Sequence, residues 1–114
     1  MSPLPSAQAF PELHQLQQLI EQYPQQIRSE VLTQIQVKNF ALPIWSLELG
    51  SQNPAHPAIG FFGGVHGMER IGSQILIAWL QNLLARYQWD TSLQQLLQEV
   101  RIVCIPMLNV GGLL

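Results

Sequence analysis

Two stretches of this chain are apolar without alternation, AIGFFGGV at residues 58–65 and VRIVCIPML at residues 100–108. A strand with one wet face alternates; a continuous apolar run bounded by turn residues suits a strand covered on both faces. Between the runs, Ile75, Leu76, Trp79, Leu80, Leu83 and Leu84 recur at helical spacing within residues 72–87, and a shorter helical piece spans about 91–98. Strand, helix and strand in that order predict a crossover unit with parallel strands and a right-handed connection. The long helix is apolar around most of its circumference and should be largely buried.

The remainder arranges itself around that unit. Residues 1–9, with Pro3 and Pro5 among small residues, read as a flexible lead-in. Phe10, Leu13, Leu16, Leu19, Ile20 and Tyr23 recur at three or four, with Pro11 suited to a first helical turn and Pro24 ending the pattern. The glutamines of this helix should mostly face water. Alternation over Val31–Val37 and again over Ile44–Leu49, joined through Lys38, Asn39 and Phe40, predicts an antiparallel pair, and GSQNPAHP at 50–57 is a turn-rich loop. NVGGLL follows the last core-type strand directly. Two buried parallel strands need neighbours and cover that these residues supply only in part. The expected fold is therefore α/β: part of a mixed, mostly parallel sheet with helices on both faces, incomplete at the C-terminus, over residues 10–114. An exposed sheet edge predicts self-association or a missing remainder.

Composition removes several classes of function. Hydrophobic residues make up 47% and charged residues 11% of the 114, which is a globular and not a disordered balance. With a net charge of −2 and Lys38 as the one lysine, there is no basic stripe for nucleic acid and no polybasic patch for a membrane surface. The apolar runs are too short to span a bilayer and the N-terminus lacks a leader pattern, so the expected location is cytoplasmic. Cys104 has no partner cysteine and sits in an apolar run, as a core residue would. No G-x-S-x-G elbow and no phosphate loop is present. Trp45, Trp79 and Trp89 read as core or rim aromatics, Arg86 and Arg101 as a helix-end cation and a strand-flanking charge, and Arg70 as a solvated or salt-bridged first-turn residue.

The segment GGVHGMERIG, residues 63–72, lies where the first parallel strand gives way to the long helix. In open α/β sheets, ligands bind at that end of the strands. Gly63, Gly64 and Gly67 permit sharp turns or close backbone approach, and His66 and Glu69 lie three apart. Imidazole nitrogen and carboxylate oxygen are both zinc donors, and this spacing lets them converge on one ion. The spacing alone arises by accident about one time in seven in such a composition. It fits equally a helix N-terminal glutamate favoured by the dipole beside a histidine bonded to a backbone carbonyl.

The order of elements, with GGVHGMERIG and then VRIVCIPMLNVGG, resembles the N-terminal part of the zinc carboxypeptidase (M14-type) family over essentially residues 10–114. The resemblance implies that His66 and Glu69 are the first two zinc ligands of a hydrolase acting on peptide or amide bonds, and that Asn109 and Gly112 match an Asn-Pro-x-Gly turn. Val110 departs from that turn's proline, and Met68 stands where digestive members carry an arginine. Gly67 gives the His-Gly-x-Glu form shared with deacylases of the aspartoacylase and succinylglutamate desuccinylase type, so an acylated amino acid is the alternative substrate. In the family the third zinc ligand, the substrate-holding residues and the general base come later in the chain, and no residue here takes those roles. His14, on an amphipathic helix, and His56, in a proline-flanked loop, are poor substitutes for the third ligand. A third alternative is a non-catalytic binding or structural module.

Overall fold

A computed structural model describes residues 10–37, 39–64 and 70–108. In chain order the elements are α1 (Pro11–Gln22), β1 (Arg28–Val37), β2 (Phe40–Gly50), β3 (Ala58–Phe62), α2 (Arg70–Tyr87), α3 (Thr91–Glu99) and β4 (Arg101–Ile105). The strands form one mixed sheet in the order β1-β2-β4-β3. β1 and β2 pair antiparallel, β2 and β4 antiparallel, and β3 and β4 parallel. The strand–helix–strand unit therefore takes the parallel arrangement expected of it, and one of the three described pairings is parallel.

Local chemistry accounts for the element ends. Pro11 opens α1, where its missing N–H costs no helical bond, and the Tyr23 N–H closes the helix on the Leu19 carbonyl. Asp90 caps α3 by accepting from the Leu93 N–H at 3.1 Å, and Arg86, in the last turn of α2, reaches the same carboxylate at 2.6 Å. The guanidinium beside Asp90 and the Leu93 amide hold its carboxyl below the usual range.

The three helices touch in the order α1, α2, α3 and cover the sheet face that carries Leu47, Leu49, Ile102, Cys104 and Phe61. Phe10, Leu13, Leu16 and Leu19 of α1 and Ile77, Leu80 and Leu84 of α2 complete this core. Gln15, Gln18 and Gln22 face water as expected. The opposite face, with Glu48, Val103, Gly60 and Phe62, is half-buried to exposed. Among the described residues the helical cover is thus on one face, and no described helix is long and apolar enough to cross a membrane.

This one-sided cover corrects two expectations. β3 is not enclosed: Ile59 is 49% exposed and Phe62 57%, because the strand pairs only with β4 among the described strands. Nor is α2 largely buried. Ser73, Leu76, Ile77, Leu80 and Leu84 turn inward, while Ile71 and Ile75, the latter 64% exposed, turn away. An apolar circumference offers two faces for burial, and this sheet takes one. β2 also begins earlier than its alternation suggests, running through Pro43, which pairs with Gln34 of β1 beyond the reach of β4. Proline fits there because that part of β2 has only one partner strand in the described sheet.

Candidate functional site

The parallel ladder continues past the ends of β3 and β4. The Gly63 N–H donates to the Ile105 carbonyl at 3.0 Å, and the Leu108 N–H donates to the Gly63 carbonyl at 2.9 Å. The chain therefore leaves the sheet at two adjacent points, after Gly64 and after Leu108. These are the carboxyl ends of parallel strands, where α/β sheets present their ligand-binding loops.

The neck between them is built on backbone. A Cβ on Gly63 would stand 2.5 Å from the Pro106 carbonyl oxygen and 3.3 Å from the Ser73 Cα, so only glycine fits between β4 and the start of α2. Gly64 follows with φ 61°, in the left-handed region. The buried Ser73 hydroxyl donates to the same Pro106 carbonyl at 2.7 Å and ties the first turns of α2 to the end of β4. Ser73 and Pro106 were missed in the sequence. The signal was present: a serine on the inward stripe of an apolar helix needs an acceptor.

His66, Glu69, Gly67 and Met68 lie outside the described residues, as do Asn109, Val110 and Gly112. What the structure provides is their points of departure: residues 65–69 follow Gly64, and residues 109–112 follow Leu108, which is bonded to Gly63. The donor chemistry of His66 and Glu69 is that of a zinc site. Among the described residues no group of three or more His, Cys, Asp or Glu could hold a metal ion. His56 precedes β3, at the opposite end of the strand, with its Nδ1 2.7 Å from the Ser51 Oγ. His14 is half-buried on α1. Arg101 meets Glu48 at 3.4 Å across the sheet, and Arg86 is a helix-end cation as expected.

Two further polar groups lie in the core. Glu12, in the first turn of α1, is buried and accepts from the Gln74 amide at 3.1 Å, joining α1 to the site-proximal part of α2. Cys104 is fully buried between Leu47 and Phe61, and burial pushes its thiol up to about 12.

Comparison with known proteins places this architecture. The family model described as zinc carboxypeptidase matches residues 12–113. The chain belongs to the zinc carboxypeptidase family. Human carboxypeptidase D is 36% identical over 73 residues, which is 60% of this chain and 5% of that protein. Carboxypeptidase SOL1 of Arabidopsis thaliana is 31% identical over 74 residues, 61% of this chain and 15% of that protein. In fold, the chain is similar to thrombin-activatable fibrinolysis inhibitor, with a TM-score of 0.67 at 18% identity over 85% of this chain and 24% of the solved one. This zinc carboxypeptidase chain thus spans a small part of the relatives it matches.

Proposed function

We propose that this chain supplies His66 and Glu69 as two protein ligands of a zinc-dependent carboxypeptidase that hydrolyses peptide bonds. The reading rests on one observation: the segment holding both donors leaves the sheet at the carboxyl end of β3, beside the exit of β4, in a chain of the zinc carboxypeptidase family. Zinc, when bound, polarises a carbonyl and lowers the pKa of a coordinated water. In this chain, His66 would give an imidazole nitrogen and Glu69 a carboxylate oxygen, and the Gly63 neck would hold the two exits together. The third ligand and the general base are expected outside these 114 residues. The His-Gly-x-Glu form also suits an N-acyl amino acid deacylase, but the similarity to carboxypeptidases D and SOL1 favours the peptide substrate.

Two ligands hold a metal weakly, so the test uses the metal itself. Cobalt(II) titrated into the 114-residue chain should give a weak, saturable spectral change that His66→Ala and Glu69→Ala each remove. Equal binding by wild type and both variants would refute the assignment. The chain alone is expected to show no peptide hydrolysis.

A further inference from the structure

A second concave site lies at the other end of the sheet, where β2 ends and β4 begins. This cleft of about 340 Å³ is bounded by the residues after α1, by Leu49–Gln52, and by the ends of α2 and α3. Its floor is aliphatic, formed by Leu49, Leu84 and Leu97, all nearly or fully buried. Its rim is amide-rich, with Gln26, Gln52 and Gln98.

Arg28 is the one charged residue among the described residues that line the cleft. Its Nη1 donates to the Gly50 carbonyl at 3.1 Å, which fixes the guanidinium against the backbone. Its Nη2 is buried and has no hydrogen-bond partner among the described residues. The nearest carboxylate by register is Glu48, opposite Arg28 on β2, and Glu48 is engaged by Arg101 at 3.4 Å. A guanidinium held at one nitrogen and unsatisfied at another, on a residue that lines one cleft with Leu49, Leu84 and Leu97, is half of a recognition site for a carboxylate with an aliphatic body. The volume, at the small end of ligand sites, limits that body to one short branched chain.

We propose that this cleft binds a small aliphatic carboxylate, with Arg28 gripping the carboxylate and Leu49, Leu84 and Leu97 receiving the alkyl group. Nη2 is buried in the free protein, so binding has to uncover it. The site is separate from the segment bearing His66 and Glu69, which leaves the opposite end of β3, and it does not depend on zinc.

The test is titration of the 114-residue chain, without metal, followed by leucine-methyl and arginine side-chain NMR. The probes are isocaproate, leucine and the neutral isohexanol. Isocaproate or leucine should shift the Leu49, Leu84 and Leu97 methyls saturably, and isohexanol should bind at least about tenfold more weakly, as expected for loss of a charge-assisted contact. Preference for leucine would mark an amino acid site, and preference for isocaproate a fatty acid site. Arg28→Gln should weaken binding about tenfold, with Arg28→Lys recovering part of it. Isohexanol binding as well as isocaproate, or shifts that avoid these methyls, would overturn the proposal. Because the alcohol comparison uses wild type, it decides even if Arg28→Gln fails to fold.

Discussion

The two ends of β3 solve the same problem differently. Before the strand, the loop at residues 51–57 satisfies itself: the Ser51 Oγ meets the His56 Nδ1 at 2.7 Å and accepts from the Asn53 N–H at 3.1 Å, while the Asn53 Oδ1 accepts from the Ala55 N–H at 2.9 Å. Polar side chains are consumed in shaping that turn. After the strand, the chain is held by backbone instead, through Gly63, the Pro106 and Ile105 carbonyls and the Leu108 amide, with Ser73 as the one side chain contributing among the described residues. A loop closed by its own side chains is a finished structure. A neck closed by backbone depends little on which side chains surround it.

That contrast can be broken by substitution. The largest effect is expected at the first end, from Gly50→Ala. Gly50 sits at φ 88° with a Cβ position 2.3 Å from the Val100 carbonyl oxygen, so strain and overlap add, and the cost should be about 3 kcal/mol or more in urea unfolding. Gly63→Ala meets overlap alone, 2.5 Å from the Pro106 carbonyl oxygen, and should cost about 1–3 kcal/mol. It should also weaken cobalt binding, which Gly50→Ala should do only as far as it unfolds the chain. Equal effects of the two on metal binding among folded molecules would erase the distinction between the ends.

The serines sharpen it further. Ser73→Ala removes a fully buried donor from Pro106 and should cost about 1–2 kcal/mol, whereas Ser51→Ala, at a buried serine whose partners His56 and Asn53 lie in a loop that water reaches, should cost about 1 kcal/mol or less. The reverse order by denaturant melts would show that the first loop is the more rigid end. The smallest effect at neutral pH belongs to Cys104, next to the last residue of β4. Its thiol ordinarily titrates at 9.0 and is pushed up to about 12 by burial, so the unfolded chain loses its proton first. This contribution to stability is complete below pH 9 and declines as pH rises from 9 towards 12. Thiol labelling should track unfolding, and fast labelling of the folded chain would contradict the buried assignment.

The helices were legible because their signals are local. Pro11 and Pro24 bracket α1, and spacing alone gives α2 and the short piece at about 91–98 that the structure shows as α3, capped by Asp90. Strand burial was not legible, because a run such as AIGFF reports what a strand could bury and not which neighbours stand beside it; hence the exposure of Ile59 and Phe62. Pro43 concealed the first half of β2 for a similar reason, since its tolerance depends on which side of the strand lacks a partner. At the candidate site, the sequence supplied His66, Glu69 and the glycines, but the link from Ser73 to Pro106 joins positions 33 residues apart and exists only in the packed structure.

The strand order also carries a consequence for how the chain reaches this state. β1 and β2 meet through a local turn, Val37 opposite Phe40, whereas β3 waits for β4, with Ala58 opposite Arg101. Local pairing is entropically cheap and distant parallel pairing is slow. Pulsed hydrogen exchange during refolding should protect the β1–β2 amides before those shared by β3 and β4; simultaneous protection would refute this order. The neck at Gly63 would then be among the last parts of the described sheet to assemble, so the end proposed to bind metal would become competent only once the slowest pairing is complete.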